Sequence, residues 1–240
     1  MITDQSTART PASRTTSESR GDPMPRSGRD GPEGGDGERG EPEFGGADGE
    51  QIATANELAS AVQGTEIFRL VVLSTHREFG SFGGLDLARR LSGAGRATVL
   101  IDLTPNGSVA AGMSLPPDCV GYADLLAGGA SLSEIIYRDH YTATHFVPSG
   151  GFELMEANAA AFAHLGYVLD AFAEAYDYSV IEVDPLDIPE LPGLLDENTA
   201  VVVAGLPHVD DRMIDVSDDL RMIGIEDIVF MPMLRRAGEG

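Results

Sequence analysis

No lysine occurs in this chain; all 16 of its Lys and Arg residues are arginine. Any chemistry that needs an ammonium group, including the lysine of a phosphate-binding loop, is excluded from the outset. A single cysteine, Cys119, rules out an intramolecular disulfide and a cysteine-based metal site, and is read as an inert thiol. No run approaches the ~18 apolar residues that a membrane span needs. The N-terminus also lacks the apolar stretch of a signal peptide, so the expected location is the cytoplasm. Positive charge is scarce as well. A formal net charge of −23 repels nucleic acid and anionic lipid, but leaves room for a basic partner.

What is present suffices for one folded domain. Of the 240 residues, 42% are hydrophobic, enough for a single core. Residues 1–50 are rich in Gly, Pro, Ser, Asp, Glu and Arg and hold almost no aromatic or β-branched side chains. Such a segment cannot bury enough apolar area to offset an ordering entropy of roughly 1–2 kcal/mol per residue, and the expectation is a disordered acidic tail. Residues 51–65 are expected to form a linker carrying a short amphipathic helix over 51–62. An α/β domain follows over 66–234, with a short tail over 235–240.

The domain is organised around residues 68–91, FRLVVLSTHREFGSFGGLDLARRL. An apolar run, Leu70 to Leu73, is short enough for a buried strand. A glycine-bearing loop follows, and then Leu85, Leu87, Ala88 and Leu91 recur at helical spacing. Further apolar runs predict strands at 97–103, 144–147, 178–183, 199–204 and 225–230. Between them, helices are predicted at 121–127, 131–137, 153–176, 189–197 and 209–223. Ser131 and Glu134 have capping-box spacing, and Phe162, Leu165, Leu169 and Phe172 are spaced for one buried helix face. Continuously apolar strands alternating with helices indicate a mostly parallel sheet covered on both faces. Ligands of such sheets sit at the carboxyl ends of the strands, which here supply Ser74, Asp102, Glu182 and Asp184.

Four segments in order, LARRLSGAGRATVLID (87–102), GYADLLAGGASLSEII (121–136), HFVPSGG (145–151) and YDYSVIEVDP (176–185), carry a resemblance. They are similar to the cytoplasmic bacterial tyrosine kinases of exopolysaccharide synthesis, relatives of the ParA/MinD P-loop ATPases. The resemblance covers about residues 66–231 and implies a three-layer P-loop NTPase-like fold. It places the nucleotide loop at Arg77, Glu78, Phe79, Gly80 and Ser81. It places magnesium ligands at Ser81, Asp102, Glu182 and Asp184, with ATP and Mg as the family's cofactors. It implies a membrane polysaccharide chain-length or co-polymerase protein as partner, membrane association through that partner, and possible homo-oligomers.

The loop departs from the family's pattern at its centre. Arg77 and Phe79 stand where the family has glycine, and Gly80 stands where it has lysine. The acid after Asp102 becomes Thr104, and the Walker B aspartate becomes Glu182. The residues after 230 contain no tyrosine, and the arginine-bearing helix of ring formation is not recognisable in 52–62. The expectation is therefore a degenerate, non-catalytic member acting as regulator or adaptor, its nucleotide and magnesium residues vestigial. An active tyrosine kinase is the alternative, and a ParA/MinD-like positioning ATPase a further one.

Remaining features receive ordinary readings. Ser74, His76 and nearby acids resemble a hydrolase triad in composition, but His76 is expected to be a solvated loop side chain. His140 and His145 beside Asp139 have weak metal-site spacing, and ordinary polar roles are expected. The acids at 210, 211, 215, 218 and 219 are expected on the wet face of a helix.

Overall fold

The computed structural model describes residues 51–77, 82–116 and 118–233, the side chains of residues 106 and 108 excepted. The disordered tail expected at 1–50 and the short tail at 235–240 lie outside the described residues.

The apolar runs form the strands. β1 is Gln51–Ile52, β2 Arg69–Ser74, β3 Thr98–Asp102, β4 Tyr137–Arg138, β5 His145–Val147, β6 Tyr178–Val183, β7 Thr199–Gly205 and β8 Ile228–Pro232. They make one eight-stranded sheet in the order β1-β8-β7-β2-β6-β3-β5-β4. All neighbours pair in parallel except β4 with β5. Every residue of β2, β3 and β6 is buried, as a parallel sheet covered on both faces requires.

The helices are α1 (Ala55–Ala61), α2 (Gly83–Gly93), α3 (Ser108–Gly112), α4 (Tyr122–Leu126), α5 (Ala159–Ala175) and α6 (Asp211–Met222). Alternation along the strands separates two cores. Leu70 and Val72 join Leu58, Leu87 and Leu91 on the α1/α2 face. Val71 and Leu73 join Leu165, Phe172, Val216 and Leu220 on the α5/α6 face. The result is the expected three-layer α/β arrangement. The period of two along a strand also fixes where the acids go. Asp102 follows Leu100, and Glu182 follows Val180, on the α1/α2 face. The register pairs Asp102 with Glu182 across β3 and β6.

Four local expectations are corrected. The helix expected over 51–62 begins only at Ala55, behind a Thr54/Glu57 capping box. Gln51 and Ile52 before it form an edge strand against Val229 and Phe230. The helix expected over 131–137 is absent. Ser131 does give its N–H and hydroxyl to one Glu134 oxygen, at 2.8 and 2.7 Å. Ile135 is then fully buried, and the chain passes straight into β4. The long helix starts at Ala159 rather than near 153, because the Asn158 side chain accepts the N–H groups of Ala160 and Ala161. On it Leu165, Leu169 and Phe172 are buried as expected, whereas Phe162 is only partly so. The piece expected at 189–197 is a 3₁₀ helix over Pro185–Gly193. Three prolines without N–H groups prevent an α-helical ladder there.

Candidate functional site

β2, β3 and β6 all end at the mouth of α2, and two glycines bring that helix down onto the sheet. A Cβ at Gly83 would collide with the side chain of Ala204, and one at Gly84 with the Glu182 carboxyl. With hydrogen in place of those methyls, the first N–H groups of α2 reach side chains of the sheet. Gly83 donates to Ser74 Oγ at 2.8 Å, and Gly84 donates to Glu182 Oε2 at 2.7 Å. The Ser74 hydroxyl also acts on the Glu182 carboxyl, opposing the rise in its pKa. A helix N-terminus that could meet an anion is here satisfied by its own chain.

Around this cap lies a buried cluster of carboxyls. Burial pushes Glu182 up to about 8, partly opposed by its bonds to Ser74 and Gly84, so it holds its proton at neutral pH. Burial also raises Asp102 to about 6, against hydrogen bonds from Thr104 and Val109. Thr104 gives both its N–H (2.9 Å) and its hydroxyl (2.5 Å) to Asp102 Oδ1. Asp184 pairs with Arg77, Nη2 to Oδ2 at 2.5 Å, and accepts the Leu186 N–H at 3.0 Å. Asp187, 3% exposed, is raised to about 6 by burial and by the neighbouring Asp184 charge. The Arg77 charge acts in the opposite sense on Asp102, Glu182 and Asp187. Asp102 Oδ2, Glu182 Oε1, Asp187 Oδ2 and Arg77 Nη1 are buried and have no hydrogen-bond partner among the described residues.

Of the residues singled out from sequence, Arg77, Asp102, Glu182 and Asp184 therefore meet. Glu78, Phe79, Gly80 and Ser81 lie outside the described residues. Among the described residues, no group of three or more His, Cys, Asp or Glu is placed to hold a metal ion. Asp187 escaped sequence reasoning, although its spacing was available. It lies three residues after Asp184, one turn of a 3₁₀ helix.

His76 is not solvated as expected; it is 9% exposed. Its Nδ1 lies 2.9 Å from Thr75 Oγ1 and its Nε2 3.0 Å from Asp210 Oδ2. Ser74 Oγ accepts the Gly83 N–H, and among the described residues a Ser74–His76 pairing of the triad kind is not formed. Asp139 is bound by Arg89, whereas His145 Nδ1 lies 2.6 Å from the Tyr176 hydroxyl. The acids of α6 behave as expected: Asp211, Asp215, Asp218 and Asp219 are exposed, with Asp210 as the N-cap.

No protein-family model matches the sequence, and no curated protein matches it. Solved structures do share its fold. The kinase domain of Escherichia coli tyrosine kinase ETK aligns with a TM-score of 0.57 and 15% identity, over 77% of this chain and 74% of that one. The VpsO kinase domain gives 0.57 and 19%, over 74% and 91%. The chimerical protein CapA2B2 gives 0.56 and 16%, over 75% and 82%. The chain thus has the P-loop NTPase-like α/β fold found in these tyrosine kinase domains. At such identities the likeness extends to the fold, and the chemistry must be argued from the chain's own residues.

Proposed function

We propose that this protein is a catalytically degenerate, tyrosine-kinase-like member of the P-loop superfamily, acting as a regulator or adaptor in exopolysaccharide biosynthesis or export. The observation that carries this reading is the capped entry of α2, where Ser74 and Glu182 already take the N–H groups of Gly83 and Gly84. Magnesium and nucleotide, which the fold type implies, fit these residues poorly. The Glu182 carboxyl already accepts the Gly84 N–H at 2.7 Å. Asp184 is engaged by Arg77. The described part of the site offers a nucleoside triphosphate buried carboxyls and one arginine already paired, and no lysine exists elsewhere in the chain to take its place. Phosphoryl transfer depends almost wholly on electrostatic stabilisation, so such a site is unsuited to it.

The work of the chain then falls to contacts. A membrane chain-length or co-polymerase protein is the partner that the kinase resemblance suggests. No helix among the described residues is long and apolar enough to cross a membrane, so attachment through that partner is the route proposed. The deciding experiment is calorimetric titration of the full chain with magnesium-ATP, with phosphotyrosine blotting after incubation. No binding heat and no phosphotyrosine are expected. Micromolar affinity with turnover would establish the active kinase instead.

A further inference from the structure

We propose that Arg77 is the site's built-in cation. Its guanidinium supplies, from within the chain, the counter-charge that Asp184 and the neighbouring Asp102 and Asp187 would otherwise draw from a bound metal ion, and it keeps the cluster closed to divalent cations. This inference rests on the reading that the site does not hold magnesium-nucleotide.

The geometry points this way from several sides. Arg77 sits three residues beyond the end of β2, and its side chain turns in toward the sheet: 21% of it is exposed, and 10% of the Asp184 side chain that it grips. An ion pair this sheltered differs from a surface pair, because the protein interior screens it weakly. Asp102 and Glu182 are register partners at the ends of β3 and β6, and Asp187 lies one 3₁₀ turn beyond the Asp184 that Arg77 grips. Three of the four acids also present a buried oxygen without a partner among the described residues, and Arg77 contributes a buried nitrogen in the same condition. Carboxyls with free lone pairs, gathered at strand ends from β3 and from the chain at and beyond β6, are what a hard cation selects. Guanidinium is a good permanent occupant, because it stays charged at any accessible pH and presents several donors in a plane. With it in place, Asp184 is engaged by arginine and is not free to ligate a metal ion.

Removing the guanidinium should therefore do two things at once. It should destabilise the fold, because buried carboxyls lose their partner, and it should create a cation site that the wild-type chain lacks. The test uses the full chain, manganese(II) alone as probe, and no nucleotide. Binding is read from loss of the free-ion electron paramagnetic resonance signal, and stability from thermal unfolding with and without the metal. Arg77→Ala should melt lower by on the order of 10 °C, recover part of that loss in manganese, and bind the ion at least about tenfold more tightly than wild type. Arg77→Gln, which keeps donors and bulk, provides a folded reference should the alanine variant unfold, and it too should gain manganese affinity. Adding Asp184→Asn to either variant should cancel the gain. Wild-type protein that binds manganese as tightly as the variants would overturn the proposal, as would folded variants that gain no affinity. Neither result depends on ATP. Failure of the degenerate reading would appear separately, as magnesium-ATP binding to the wild-type chain.

Discussion

The backbone N–H of Gly84 meets the carboxyl of Glu182 across 2.7 Å, joining the first turn of α2 to the strand beside Asp102. A glutamate can do this because its extra methylene, compared with aspartate, carries the carboxyl out to the helix backbone. The same reach removes the carboxyl from water. Burial then raises its proton affinity, with a folded-state pKa of about 8 against an ordinary 4.5.

The sign of the pH dependence follows. Between about 4.5 and about 8 the folded chain holds a proton at Glu182 that the unfolded chain releases. Its contribution to stability is therefore complete below the unfolded value and is lost as pH rises through the folded one, at up to about 1.4 kcal/mol per pH unit. Asp102 and Asp187, both raised to about 6 from 3.8, add the same sign lower down. Urea unfolding of the wild-type chain should give a midpoint that falls from pH 6.5 to pH 8. Glu182→Gln, neutral throughout and still able to accept from Gly84, should flatten that fall. An unchanged slope in the variant would remove Glu182 as its cause.

Two glycines within helices should respond oppositely to the same substitution. At Gly84 a methyl meets the Glu182 carboxyl, whereas at Gly166 in α5 nothing lies within 4 Å of the added carbon. Gly166→Ala should stabilise by about 0.5–1 kcal/mol through helix propensity alone. Gly84→Ala gains the same propensity but overpacks a seam between helix and sheet, which costs about 1–3 kcal/mol, and it should be net destabilising. Denaturant midpoints of the two single variants decide the matter; a stabilised Gly84→Ala would mean that the seam can relax.

How much of this was legible in the sequence depends on the kind of contact. The six inner strands were, because runs such as LVVL, TVLI and VVVA have few alternatives once a parallel sheet is recognised, whereas β1 and β4 were expected as helix. The convergence of Asp102, Glu182 and Asp184 was too, since each sits at the end of such a run. Pairings set by a loop's path were not. Nothing in THR at 75–77 tells that His76 turns to Asp210, 134 residues away, while its neighbour Arg77 turns to Asp184. Composition favoured solvent for His76, and the tertiary partner overrode it. The Ser131/Glu134 signal misled for a related reason. The box formed, but burial of Ile135 and pairing of β4 ended the helix before it began.

Arg89 and Asp139 supply a test of the scaffold away from the site. Arg89 Nε and Nη2 donate to the two Asp139 oxygens at 3.0 and 2.8 Å, and Thr142 adds its N–H and hydroxyl. Burial works to raise the Asp139 pKa, but the hydrogen bonds from Arg89 and Thr142 and the Arg89 charge outweigh it and hold the carboxyl below its usual range. Arg89→Ala leaves that carboxylate buried and half-partnered, a loss of about 3–5 kcal/mol. Arg89→Ala/Asp139→Asn should recover a substantial part of it. If the double variant is no more stable than the single one, the loss comes from the contact of the Arg89 guanidinium with the Tyr141 ring and not from the stranded charge.

His76 and Asp210 give the last prediction, because two roles of one aspartate can be separated there. Asp210 Oδ1 caps α6 by accepting the Met213 N–H at 3.1 Å, and Oδ2 faces His76 Nε2 at 3.0 Å. Asp210→Ala removes both, Asp210→Ser keeps a cap but is too short to reach the ring, and His76→Ala removes only the ring. The cap is worth about 1 kcal/mol, and the shielded histidine–carboxylate contact about 1.5–3 kcal/mol if the imidazole is charged, less if neutral. Asp210→Ser and His76→Ala should therefore show closely similar losses that do not add when combined, with Asp210→Ala lower than either by about the value of the cap. Urea unfolding of the four variants closes the cycle. Additive losses from Asp210→Ser and His76→Ala would mean that the two side chains do not depend on each other, and that the turn after β2 is held to the sheet chiefly by Thr75, whose N–H and hydroxyl both reach the Ala204 carbonyl at 2.8 and 3.0 Å.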